Sequence, residues 1–347
     1  MTGTAFEREI REQPEIIAGL LRDGRSTIEE VAAEIRARKS RSVVIAARGT
    51  SSNAARYAQY ALGARNGWSV AHATPSLYTV YQRPPDLSDT LVIGISQSGQ
   101  SIDTVTVVEE ARRQGATTLA LTNDPSSPMA MATELCIPLR AGVERAVAAT
   151  KTYTTELVCI AMLSAALADD ADVWAHLDAL PQALAETIDA NSQLAEQTAR
   201  YTFARHFVVI GRGYNYSTAC EAALKLKETS YVIAEPFSSA DFQHGPIAVI
   251  ESGFPVILIA PSGEVFGDVA QLIARLTELG AEIVTVTDRA DAVSESCMIL
   301  PLAGDVPEWL SPIVAVAPGQ LLALAQARLR GFDPDRPRGL TKVTHTR

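Results

Sequence analysis

Thr90–Val105, TLVIGISQSGQSIDTV, is the stretch from which the rest of the chain can be read. The apolar run Leu91–Ile95 stops abruptly at Ser96-Gln97-Ser98-Gly99-Gln100-Ser101, and helical spacing of apolar residues begins at Ile102. A short continuous apolar run bounded by turn residues fits a strand buried on both faces. Gly115 closes the helical segment and a second apolar run, Thr117–Leu121, follows it. Strand, polar loop, helix and strand in that order are the repeating unit of a parallel sheet covered by helices.

The same unit recurs on both sides of this stretch. In the first half, strands are predicted at Ser42–Ala46, Thr90–Ile95, Thr117–Leu121 and Leu135–Pro138, with helices at 53–63 and 102–114. The second half gives strands at Phe207–Ile210, Val256–Ala260 and Glu282–Thr287, with helices at 217–229 and 267–279. The halves also match residue by residue. VVIAARGTSSN from Val43 answers FVVIGRGYNYS from Phe207, IGISQSGQ answers ILIAPSGE, and LALTND answers IVTVTD, each about 164 residues on. Three correspondences in one order at one spacing indicate two homologous halves. The expected fold is α/β, with two tandem flavodoxin-like domains, each a parallel sheet flanked by helices. Its parts are an N-terminal helical segment (1–38), a first domain (39–171), a linking helix (172–200), a second domain (201–330) and a C-terminal tail (331–347).

Composition narrows the classes. With 347 residues, 47% hydrophobic and 20% charged, the chain has enough apolar content for two packed cores and too little charge for a disordered one. A net charge of −10 argues against a nucleic-acid partner. No uninterrupted apolar run of membrane-spanning length stands out, and the charged start MTGTAFEREIREQP is unlike a signal peptide, so a cytoplasmic protein with no membrane partner is expected. Cys136, Cys159, Cys220 and Cys297 are scattered, without Cys-x-x-Cys or a histidine at ligand spacing; reduced thiols and no metal site are expected.

Ligands of open parallel sheets collect at the carboxyl ends of the strands, where helix N-termini offer unpaired N–H groups to anions. Ser96, Ser98 and Ser101 add hydroxyls there, Gly99 lets the backbone come close, and Thr50 and Ser51 of RGTSSN lie on the same sheet edge. The plain alternative is a set of capping and turn serines. Against it, the second copy, Ala260-Pro261-Ser262-Gly263-Glu264, keeps the turn but has lost most of the hydroxyls, so the fold alone does not require them. Neither a Walker loop nor Gly-x-Gly-x-x-Gly is present, so the anion is read as the phosphate of a small molecule. Glu221, Lys225 and Glu228 in CEAALKLKE share one helix face, which a solvated ion pair would also explain. His244 stands in a Gly-Pro turn and Lys342 near the chain end; by themselves these read as an ordinary loop histidine and a solvated lysine.

Taken together, RGTSSN, ISQSGQS, ERAVAATK (Glu144–Lys151), EAALKLKE, FSSADFQHGP and DRPRGLTKVT resemble the sugar isomerase (SIS) family. The likeness runs from about residue 5 to the end. It is to the isomerase half of glucosamine-6-phosphate synthase without its glutaminase domain, and above all to the stand-alone SIS-type glucosamine-6-phosphate deaminases. The resemblance implies two SIS domains and a C-terminal tail that reaches the active site. It implies a phosphate pocket of Ser51, Ser96, Gln97, Ser98 and Ser101, with Thr50 and Ala148 also binding substrate. Glu228 matches the carboxylate that moves a proton between C1 and C2. His244 matches a ring-opening histidine given by the neighbouring subunit of a homodimer. Lys342 matches a tail lysine that forms an imine or stabilises an enolate oxygen, and Lys225 a lysine near the C1 and C2 oxygens. No cofactor is implied. Ala149, Arg48 and Gln100 depart from the synthase pattern towards the deaminases, and Asp241 replaces a more usual glutamate. The leading expectation is a deaminase and aldose–ketose isomerase on glucosamine 6-phosphate. The alternatives are a dehydratase on its N-acetyl form, which would share the C2 proton abstraction, and a non-catalytic sugar-phosphate sensor.

Overall fold

The apolar run at Leu91–Ile95 becomes the middle strand of a five-stranded parallel sheet. In a computed structural model, which describes residues 3–170, 172–293 and 297–342, the first sheet holds β1 (Ser42–Ala46), β2 (Ser69–His72), β3 (Thr90–Ser96), β4 (Thr117–Thr122) and β5 (Leu135–Pro138). Its order is β2-β1-β3-β4-β5. The second sheet holds β6 (His206–Gly211), β7 (Ile233–Ser238), β8 (Pro255–Ile259), β9 (Glu282–Thr287) and β10 (Met298–Pro301), in the order β10-β9-β8-β6-β7. Read from the other end it is the same order, that of flavodoxin-like folds.

The sequence repeat is also a repeat of register. Val43 pairs with Val70 and Val44 with Val92; about 164 residues on, Phe207 pairs with Ala234 and Val208 with Val256. Gly49 and Gly213, both just after the first strand of their half, share a left-handed backbone with φ of 54° and 57°.

Three strands go beyond the expected ones: β2, β7 and β10. All lie at sheet edges, where only one neighbour and part of one face are covered. β2 alternates between exposed and half-buried, and β7 carries Glu235 and Pro236, so neither shows the apolar run that marks β3 and β4.

The helices follow from the same logic. A single helix, Ala5–Arg38, opens the chain, and its start is capped by Asp335, whose carboxylate accepts the N–H groups of Ala5 (2.7 Å) and Phe6 (2.8 Å). In the first half, Gly49–Asn66 and Ile102–Arg113 flank the sheet, and every residue of Lys151–Ala166 in the helix Lys151–Ala168 is buried. Val173–Ala190 follows it. In the second half, Tyr216–Ser230 and Phe266–Glu278 cover the sheet.

The helix Ser311–Leu329 amends the reading of hydropathy. By length and composition it could cross a membrane, which no apolar run in the sequence suggested. Its 18-residue window is 89% buried within the protein, so it is a core helix here. It comes so close to Tyr216–Ser230 that a Cβ on Gly319 would stand 2.8 Å from Ala222 Cβ.

By its internal contacts the chain forms two compact units. Among the described residues, one gathers Glu15–Glu144, Lys151–Asp178 and 341–342; the other gathers 3–14, Arg145–Thr150 and Ala179–Leu340. The first has Val92, Val107, Val108 and Ala120 at its centre, and the second Val208, Ile210, Leu258 and Leu272.

Candidate functional site

At the carboxyl end of β3 the chain turns through Gln97–Ser101 into the helix Ile102–Arg113. Gly99 is the pivot, with φ +60°. A Cβ there would stand 2.1 Å from Ser127 Oγ, so only glycine fits. Ser96 Oγ accepts the Gly99 N–H (3.1 Å) and Ser98 Oγ accepts the Gln100 N–H (3.3 Å). Both hydroxyls act as acceptors in these turns, so each keeps its proton to donate to another group. Ser101 occupies the N-cap position, and its side chain makes no capping bond. Ser96, Gln97, Ser98 and Ser101 are half-buried. The backbone carbonyl of Gln97 takes bonds from Asn123 N–H (3.1 Å) and the Thr122 hydroxyl (3.3 Å), which fixes the loop to the next strand end.

The second half supplies an internal comparison. There the matching loop is filled by the protein's own acids. Ser262 N–H donates to Asp288 (2.7 Å), its hydroxyl donates to the same carboxylate, and Glu264 N–H donates to Glu308 (2.6 Å). A Cβ on Gly263 would fall 2.4 Å from the Glu308 carboxyl carbon. One copy of the turn thus holds a carboxylate at its amides, as expected of a loop whose N–H groups favour anions.

The other first-half residues separate. Ser51 is buried, and its hydroxyl donates to Glu156 (2.7 Å), itself 1% exposed, so its proton is committed inside the protein. Thr50 is half-buried in the first turn of Gly49–Asn66. Arg48, just before that helix, is 52% exposed and held by the buried Asp103 through its Nε (2.9 Å) and terminal nitrogen (2.5 Å). Ala148 is buried in a segment pinned by Glu9, which accepts the N–H groups of Arg145 (2.5 Å) and Ala146 (3.2 Å).

In the second half, Glu221, Lys225 and Glu228 do meet along one helix face, but that face is not solvated. The side chains of Lys225 and Glu221 are 0% exposed and that of Glu228 is 20%. The ammonium lies 3.3 Å from Glu221 and 2.5 Å from Glu228. Burial by itself pushes the Lys225 pKa down; the two carboxylates outweigh it and lift the pKa to about 12. Lys225 is therefore a fixed cation, and Glu228 is the one member of the cluster open to a ligand. His244 is exposed and follows the short helix Ser239–Gln243, which Phe242 fastens to Phe237 with ring centres 5.4 Å apart. Lys342 is paired with Glu144 at 2.7 Å. The sequence reading gave no role to Asp103, Glu156, Asp288 or Glu308, and no periodicity marks them, because their partners come from other elements. Among the described residues no three His, Cys, Asp or Glu side chains gather as metal ligands.

The SIS-domain family model matches residues 37–168 and 201–327, one match on each half. The chain belongs to the SIS-domain family. Among curated relatives, the glutamine–fructose-6-phosphate aminotransferase (isomerizing) of Thermococcus kodakarensis is 37% identical over 345 residues, covering 96% of this chain and 57% of that protein. The SIS protein thus spans little more than half the length of such relatives. A crystal structure from Silicibacter pomeroyi, provisionally assigned as a phosphosugar isomerase, is 34% identical with a TM-score of 0.87, covering 96% of this chain and 100% of that one. The glucosamine-6-phosphate deaminase of Thermotoga maritima has a TM-score of 0.82 over 99% of this chain and 100% of its own, and at 21% identity it shares the fold.

Proposed function

We propose that this SIS protein is an enzyme acting on an amino-sugar 6-phosphate, foremost glucosamine 6-phosphate, isomerising aldose to ketose and releasing ammonia. One observation carries the reading: Glu228, partly open, is held at 2.5 Å by a buried lysine that stays charged. The names of the relatives support the substrate class, fructose 6-phosphate for the aminotransferase and a phosphosugar for the Silicibacter protein. Arg48 and Ala149, which resemble the deaminase branch, support release of nitrogen over its addition.

In this reading Ser96, Ser98 and Ser101 donate to the phosphate at the N-terminus of Ile102–Arg113, where the second half needs a carboxylate of its own. His244 opens the sugar ring. Its exposed position supports its being offered to a second copy in a homodimer. A C–H beside a carbonyl or imine is a weak acid, so its removal needs a base and a cation for the growing negative charge. Glu228 takes the C2 proton and returns it at C1, while Lys225 supplies fixed charge. The ketose imine that results at C2 adds water and loses ammonia. Lys342 either takes that carbon over as its own imine, expelling the ammonia, after which water frees the ketose, or steadies the enolate oxygen.

The test follows the C2 hydrogen of glucosamine 6-phosphate in deuterated solvent, together with ammonia and ketose. The same assay on the N-acetyl form watches for ultraviolet-absorbing unsaturated products. Glu228→Gln keeps size and hydrogen bonding but should lose about 10²–10⁴-fold in exchange and turnover. Exchange at the wild-type rate in this variant would overturn the mechanism.

A further inference from the structure

Glu144 carries a buried carboxylate that the reaction above leaves without a task. Its side chain is 0% exposed. Oε1 accepts the N–H of Thr152 at 3.1 Å, and Oε2 accepts both the Thr152 hydroxyl at 2.6 Å and the Lys342 ammonium at 2.7 Å. Thr152 is the second residue of the helix Lys151–Ala168, so the acid sits at the positive end of that helix. A buried carboxylate is costly unless paired, and here two donors from the helix start and one cation satisfy it.

The cation comes from far away in the chain, 198 residues later. From Gly331 to Lys342 the tail contains neither helix nor strand. Upstream it is fastened by Asp335 on the N–H groups of Ala5 and Phe6, and by Arg338, whose guanidinium lies 3.8 Å over the Tyr231 ring. No secondary structure of its own fixes the ammonium of Lys342, and a lysine side chain has four rotatable carbons to place. Glu308, at the same offset of about 164 residues from Glu144, is likewise a docking acid, but for the Glu264 amide.

We propose that Glu144 is the positioning residue for Lys342: it docks the tail amine at one point and is the acceptor for the proton that the amine must lose. This rests on the reading of Lys342 as the sugar-facing amine. A paired ammonium is not a nucleophile. Passing one proton to Glu144 Oε2 frees the amine to form a C–N bond with C2 of the ketose imine. As the C2 nitrogen departs as ammonia, Glu144 returns the proton to it. Lysine ammonium and ketose iminium become the Lys342 iminium and an ammonium ion, and Glu144 ends as it began.

The experiment measures reductive methylation of Lys342 in the full protein without sugar, by peptide mass spectrometry, with the exposed Lys39 as reference. The Lys342 side chain is 26% exposed, so the reagent can reach it and protection reports pairing. Lys342 should react about tenfold more slowly than Lys39 in the wild type. Glu144→Gln should remove that protection, and Glu144→Asp should restore part of it. Equal rates for Lys342 and Lys39 in the wild type overturn the proposal whether or not the variants fold; unchanged protection in folded Glu144→Gln overturns it too. Because labelling needs no substrate, its outcome is separate from that of Lys342→Met in turnover, which tests the role of the amine itself.

Discussion

Replacing Lys225 by methionine keeps the length of the side chain and removes the charge between two carboxylates. At 3.3 and 2.5 Å, and with an effective dielectric constant near 20, the attractions to Glu221 and Glu228 are about 5 and 7 kcal/mol before the cost of desolvation. The net loss on breaking such a buried arrangement from one side is about 3–5 kcal/mol, because the fully buried Glu221 loses its cation. For a domain of this size, that is a fall in Tm of roughly 6–20 °C. The pH dependence has a definite sign. In the wild type the raised Lys225 pKa gives stability that is complete below the ordinary lysine range and is lost as pH rises through about 12, so between pH 5 and 8 it is constant. In the variant the two carboxylates lack that cation, and the penalty should shrink as pH falls far enough to protonate them. Thermal and urea unfolding at pH 5.5 and pH 8 measure both effects, and adding Glu221→Gln should recover part of the loss. A Tm within about 2 °C of the wild type at pH 8, or a penalty that does not change with pH, would show that the cluster is not the buried triad described.

Ser96→Ala with Ser98→Ala should weaken binding of a 6-phosphosugar by about 1.5–3 kcal/mol for each lost charge-assisted bond, with the fold intact. Calorimetric titration checks this, and unchanged affinity would remove the loop from the phosphate site. Gly99→Ala should abolish that binding, since its Cβ would meet the buried Ser127 beyond β4 and displace the loop; tight binding by this variant would show that the loop adapts. Mixing inactive Glu228→Gln and His244→Ala chains should restore some turnover through hybrid dimers. No recovery, despite demonstrated subunit exchange, would place both residues in one subunit's site.

What the sequence disclosed depended on how each feature is encoded. β3 and its loop are local: an apolar run, a break and a helix start within 16 residues. The duplication is legible because the copies keep one spacing. Edge strands are not, since half-covered strands such as β2 need no continuous apolar code. The face shared by Lys225 and Glu228 could be read from helical spacing, but its burial could not. Spacing says which residues align, not that Ser311–Leu329 packs on the same helix and accepts the hydroxyls of Thr229 and Ser230 at Ala323. The pairs Glu144–Lys342 and Glu264–Glu308 join distant positions, and a single sequence contains no record of such meetings. The same limit hid the commitment of the Ser51 hydroxyl to Glu156.

The acid lodged in the second loop bears on how a doubled gene diverges. Two identical halves would each present an anion cradle, and a ligand with one phosphate can use only one. A glutamate within the redundant copy turns an affinity for outside anions into an internal fastening. A copy fastened in this way would not compete for metabolite, and its helix faces would be free to carry the Lys225–Glu228 pair that the proposed reaction uses. Specialisation of this kind would leave a trace in stoichiometry: on the proposed reading, one phosphate per chain, in a protein built from two equivalent folds.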